Sequence, residues 1–275
     1  MFKDITIGQY IPGSSPLHKL YPALKIILTM AYIVALFIIQ KPQSYAAFFV
    51  FTVALILISS VSVKIIIRGI RPMLWILIFT AVINLFMTQG ETVFTIPLWF
   101  FGINISREGI YLAVAMTVRL LFLIVGTSLL TLTTSPLQLT DGIEKLLKPL
   151  RPLKVPSYEI AMMMTIAIRF IPLLAEETDK IIKAQTARGA DFESGNIMRR
   201  AKAMVPILVP LFVSAFRRAD ELATAMEARC FGGSGKRTKM KETRMKRIDI
   251  AAIVVFLLCC GAVAVLEYAI KINLP

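Results

Sequence analysis

The chain has 275 residues, 57% of them hydrophobic, with a mean hydropathy of +0.73 and a formal charge of +14. Soluble domains are about 45–50% apolar, so this composition excludes an ordinary soluble domain and places much of the outer surface against hydrocarbon. One histidine, His18, and three cysteines without ligand spacing (Cys230, Cys259, Cys260) exclude a metal centre or a disulfide framework as the organising chemistry.

Met1 to Pro22 is mixed and polar, without the basic start and apolar core of a cleavable leader. The first predicted span is Ala23–Gln40, "ALKIILTMAYIVALFIIQ". After the turn "KPQS" comes a second, Tyr45–Val61. Ser62–Pro72, "SVKIIIRGIRP", is basic and amphipathic. Met73–Gln89 is a third span, followed by a polar and aromatic connection, "ETVFTIPLWFFGINISRE". Gly109–Thr131 is a fourth span and Ile248–Ile270 the last. Each approaches the ~20 residues that cross ~30 Å of hydrocarbon, the second and third at the short end. Lys64, Arg68 and Arg71 lie in one loop, whereas the opposite loops carry only Lys41 and Arg107. The positive-inside bias therefore predicts a cytoplasmic N-terminus and an external C-terminus.

Thr134 to Arg247 holds 21 of the 31 basic and 12 of the 17 acidic residues. The chain thus divides into residues 1–133 with four spans, a charged region 134–247, and a final span in 248–275. Within the charged region, Pro136–Leu150 reads as a short amphipathic helix with proline at its start. Pro156–Gly189 reads as a long helix, apolar first and charged later, with Arg169 and Pro172 in its apolar half. Gly195–Cys230 repeats this plan, with Pro206 and Pro210. Apolar runs this short, interrupted by proline, suit interfacial or protein-buried helices better than spans.

The two long helices end alike. "DKIIKAQTAR" from Asp179 and "DELATAMEAR" from Asp220 share D-x4-A-x2-A-R at an offset of 41 residues. Arginine in a last turn complements the helix dipole, and Gly189 falls where a left-handed residue is expected. A second reading is a docking plug. Small Ala187 and Ala228 admit close approach, and the guanidinium offers a fixed fork of donors to a carboxylate. The residues alone leave both readings open.

No catalytic motif is present, neither H-E-x-x-H nor G-x-S-x-G. "CFGGSGKRT", Cys230 to Thr238, fails as a phosphate loop. Cys230 stands where glycine is needed, and Arg237 where serine or threonine binds magnesium.

Four stretches carry a resemblance: "GQYIPGSSPLHKLYPALK", "LTTSPLQLTDGIEKLLKPL", "IRFIPLLAEETDKIIKAQTARGADF" and "VPLFVSAFRRADELATAMEARCFGG". Together they resemble the transmembrane T component of energy-coupling factor (ECF) vitamin transporters. The resemblance implies an all-α membrane protein with about five spans and a cytoplasmic coupling domain of two long crossing helices. It implies that Ala187-Arg188-Gly189 and Ala228-Arg229-Cys230 dock in grooves of two ABC-type ATPases, with Cys230 replacing the family's glycine. It further implies a separate substrate-binding S component in the bilayer and no nucleic-acid partner. ATP and Mg²⁺ belong to the ATPases; no cofactor and no catalytic role fall to this chain. The equivalent subunit of a cobalt or nickel importer shares this logic. A secondary carrier would instead need polar groups converging at midplane, where Arg119 is the main exception here.

Four further features invite a role. Arg119, midway along the fourth span, is either an intramembrane charge that calls for a partner such as Glu144 or Glu159, or a residue nearer the interface than its place in the span suggests. Asn84 suits an interhelical contact. Met162 to Met164 suit an adaptable surface or a core. "KRTKMKETRMKR", Lys236 to Arg247, orients the last span or meets anionic lipid.

Overall fold

The computed structural model describes residues 10–90, 92–98, 101–153, 156–192, 196–231 and 245–268. The helices are α1 (Pro16–Lys19), α2 (Pro22–Ile38), α3 (Pro42–Ser59), α4 (Val63–Ile70), α5 (Leu74–Met87), α6 (Arg107–Thr133), α7 (Pro136–Leu147), α8 (Ser157–Ala187), α9 (Ile197–Ala228) and α10 (Arg247–Tyr268). Two compact units emerge: described residues 10–153 with 245–268, and residues 156–231. The division falls at Pro156, whereas the composition changes at Thr134, because α7 packs on α2.

Sequence signals set the helix starts. Proline opens α1, α2, α3 and α7, where its missing N–H costs nothing. Ser135 and Gln138 form a capping box at α7. Ser106 caps α6, its hydroxyl accepting from Gly109 N at 3.0 Å. The α2–α6 interface needs a glycine: a Cβ on Gly126 would lie 2.4 Å from the Tyr32 ring. Tyr32, Leu36, Phe48, Phe122 and Val263 form the core where α2, α3, α6 and α10 meet. The Tyr32 hydroxyl meets Thr52 Oγ1 at 3.0 Å and donates to Phe122 O at 3.2 Å. A second cluster seats Ile66 of α4 against Val125, Leu129 and Leu132 of α6.

Among the described residues, five helical stretches are long and apolar enough to cross a membrane: α3, α4 with α5 (Val63–Met87), α6, α8 and α10. Four correspond to expected spans. The two that differ are α2 and α8. α2 has seventeen residues, one fewer than α3, about 26 Å at 1.5 Å per residue and at the lower end of the spanning range. α8, expected to be interfacial or protein-buried, stays helical through Pro172 and so reaches 31 residues with an apolar first half. The basic segment expected at Ser62–Pro72 becomes α4, joined to α5 by a 3-10 turn over Arg71–Met73.

One departure from helix lies between α5 and α6. The expected connection forms β1 (Thr92–Leu98) and β2 (Phe101–Ser106), antiparallel, with Thr95 opposite Asn104. Its alternating β-branched and aromatic residues favour that extended pairing.

Candidate functional site

In the unit of residues 156–231, α8 and α9 pack against each other. Glu177 of α8 and Arg218 of α9 form an ion pair at 3.3 Å. These residues are 41 apart, the same offset that relates the two sequence repeats. Equivalent positions of the repeat are thus brought together where α8 and α9 pack, at a crossing point marked by this pair. Arg188 lies eleven residues beyond Glu177, and Arg229 eleven beyond Arg218. Each arginine is therefore about 16 Å along its helix from the crossing.

The proline pair of α9 has a local consequence. Pro210 has no N–H to give the carbonyl four residues before it, which is that of Pro206. Gln185 of α8 directs its side-chain amide to that carbonyl at 3.5 Å, a long hydrogen bond.

The two helix ends have one geometry. Gly189 N donates to Thr186 O at 2.9 Å and Ala190 N to Gln185 O at 3.0 Å. Cys230 N donates to Glu227 O at 2.8 Å and Phe231 N to Met226 O at 2.9 Å. Both are the paired bonds of a Schellman cap. Gly189 has φ +86°, and Cys230 has φ +55°. Cys230 thus takes the left-handed conformation itself, despite its Cβ. Gly232 and Gly233, which follow it, lie outside the described residues. Arg188 and Arg229 have nearly equal backbone angles (φ −85°, ψ 5° and φ −94°, ψ 15°). Ala187, Arg188, Gly189, Ala228, Arg229 and Cys230 are all exposed, and among the described residues neither guanidinium enters an ion pair. Two unpaired forks of donors therefore project from matched caps. Chemically, each can take a carboxylate bidentately.

Arg119 is placed otherwise than expected. Its Nη2 donates to Ile39 O at 2.7 Å, and its Cζ lies 5.9 Å from the ring centres of Phe37 and Tyr45. The charge meets the carbonyl end of α2, where a cation is favoured, rather than Glu144 or Glu159. Tyr111 donates to Gln40 O beside it, and the Glu267 carboxylate accepts from Gln40 N and Lys41 N at 3.3 and 3.2 Å. Arg119 thus fastens the α2–α3 connection. Asn84 donates to Thr80 O at 2.8 Å in its own helix, not to a neighbouring one. Met163 is exposed on α8, with Met162 and Met164 half-buried. Of "KRTKMKETRMKR", residues up to Arg244 lie outside the described residues.

The sequence reading passed over Lys25 and Asp249. Lys25 Nζ donates to His18 O, Thr133 O and Thr134 Oγ1 at 3.2, 2.9 and 3.3 Å. Asp249 accepts from Tyr21 N at 2.7 Å and Lys246 N at 2.6 Å. Both are buried, at 5% and 1% exposure, and they tie α2, α6 and α10 together at one end of the bundle. The available signal was a single charge at the start of each of two apolar segments.

The family model of the cobalt transport proteins, CbiQ, matches residues 13–240. Several curated relatives are described as energy-coupling factor transporter transmembrane protein EcfT. That of Clostridium kluyveri is 56% identical over 263 residues, covering 94% of this chain and 96% of the relative. That of Thermosediminibacter oceani is 55% identical over 252 residues, covering 92% and 94%. That of Bacillus subtilis is 43% identical over 255 residues, covering 92% and 95%.

Proposed function

The chain belongs to the CbiQ family, among its energy-coupling factor transporter transmembrane proteins, and from that premise we propose that it drives uptake by carrying the motion of two ABC-type ATPases into the membrane. Arg188 and Arg229 each dock in a groove of one ATPase and pair with a carboxylate there. The observation that carries this reading is the matched pair of exposed Schellman ends, equally far from the Glu177–Arg218 crossing. Two like ends suit two like grooves, and a crossing turns their relative motion into a change of angle.

In this reading ATP and Mg²⁺ bind only to the ATPases, and this chain is not catalytic. A substrate-binding S component, selecting a vitamin or other micronutrient, sits in the bilayer beside it. The apolar half of α9 exposes Val209, Phe212 and Phe216, which supports a face for that subunit or for lipid. The N-terminus and residues 134–247 are cytoplasmic and the C-terminus external, as the basic loops favour.

The test is co-purification from native membranes. Two ATPases and a small membrane protein should accompany the chain, and replacing both Arg188 and Arg229 by alanine should release the ATPases. A second reading, the matching subunit of a cobalt importer, is favoured by the description of the family model. Cobalt-dependent rather than vitamin-dependent uptake by the reconstituted complex would select it.

A further inference from the structure

A cavity of about 450 Å³ lies in the bundle of residues 10–153 and 245–268, half enclosed and almost wholly apolar. Its walls come from α1 (Pro16, Leu17), α2 from Lys25 to Tyr32, α3 from Phe51 to Ile58, α6 from Gly126 to Thr133 and α10 from Ile248 to Phe256. On α3 and α6 these segments lie toward the ends that lead into α4 and α7, and on α2 and α10 they reach about mid-helix.

Its dimensions match a lipid tail. On α10 the wall runs from Ile248 to Phe256, about 12 Å of helix, against ~15 Å for half of the hydrocarbon thickness. A methylene fills roughly the ~30 Å³ that a water occupies in the liquid, so the cavity holds about fifteen. A cavity lined mainly by residues such as Leu28, Leu55 and Val255 has little to offer water, and it costs packing if left empty.

The rim is cationic. Lys19, Lys246 and Arg247 are exposed, next in sequence to the lining residues Leu20 and Ile248. Lys25 also lines the cavity, but its three donors are spent on His18 O, Thr133 O and Thr134 Oγ1, so it contributes its alkyl stem. Asp249 beside them has both oxygens bound by backbone N–H groups. The cations left to face a headgroup are those of the rim.

The geometry points to a phospholipid site: one acyl chain of an anionic phospholipid fills this cavity, with its headgroup against Lys19, Lys246 and Arg247. Lipid held there braces α2, α3, α6 and α10 where the polar tie of Lys25 and Asp249 ends. The site stands apart from the docking proposal, since it needs neither ATPase nor cargo.

Native mass spectrometry of the full-length chain tests it, after release from nanodiscs of equal phosphatidylglycerol and phosphatidylcholine. One phospholipid should stay bound, with phosphatidylglycerol preferred about fivefold, as one surface cation supplies. Ala252→Phe, which places a ring in the cavity, should abolish retention. Ala251→Leu serves as a gentler filler if the first variant does not fold. Lys246→Gln with Arg247→Gln should keep a lipid but lose the preference. No retained lipid in the unaltered chain, or retention unchanged in a folded filler variant, overturns the site. A bound lipid without headgroup preference overturns the anionic assignment, and a partner protein's helix occupying the cavity overturns lipid as the occupant.

Discussion

Glu177 and Arg218 face each other at 3.3 Å across the α8–α9 contact, and their offset of 41 equals that of the two Ala-Arg ends. The contact therefore joins equivalent positions of the repeat. The equivalents here differ in charge sign, so that the meeting point attracts. Two identical acids or two identical bases at this place would repel.

The ion pair should fix the crossing more than it stabilises the fold. Both side chains are partly exposed, at 32% and 26%, so screening holds its worth to about 1 kcal/mol or less. Glu177→Ala and Arg218→Ala should each lower the thermal midpoint only slightly, while reducing uptake per ATP hydrolysed. Exchanging the two residues should restore much of that ratio. Unaltered coupling in both single variants would remove the pair from the mechanism.

Cys230 sits at φ +55° where the first repeat has glycine. A Cβ in the left-handed region costs about 1–2 kcal/mol. Cys230→Gly should therefore raise the thermal midpoint and leave ATPase docking intact. Gly189→Ala, at φ +86° with open space around it, should lower the midpoint for purely conformational reasons.

Lys25 is the donor for three buried acceptors. Lys25→Met keeps the stem but strands them, at about 1–3 kcal/mol for each unsatisfied group. The expected result is a large fall in thermal midpoint and in yield. A variant as stable as the parent would mean that water replaces the ammonium.

Arg119 acts on the end of α2 and not on a carboxylate. Arg119→Gln should lower stability by about 1–3 kcal/mol, the cost of leaving Ile39 O unsatisfied. Turnover per folded complex should be nearly unchanged. Lost transport at full stability would instead make Arg119 part of the translocation path.

Much of this was legible in the sequence, for reasons that differ by element. The proline start marked α7 because that signal is local, whereas α3 and α6 begin two or three residues ahead of the apolar runs that marked them. The two matched helix ends were legible because a repeat reveals itself by offset. α8 was legible as one long helix despite Pro172, because its apolar-then-charged pattern runs on past the proline. The crossing at Glu177 and Arg218 was hidden, since charges on a helix surface do not announce their partners. Lys25, Asp249 and the true partner of Arg119 were hidden for a related reason. Their neighbours are backbone atoms from distant segments, and backbone acceptors leave no trace in residue types.

The central claim is that Arg188 and Arg229 carry the ATPases. The most direct measurement is the ATPase content of complexes purified through this chain, for Arg188→Ala, Arg229→Ala and the double variant. A desolvated charge pair that loses one partner costs about 2–5 kcal/mol. Each single variant should therefore retain reduced ATPase and reduced uptake, and the double variant none of either. Full ATPase content in a folded double variant, with normal uptake, would contradict the account.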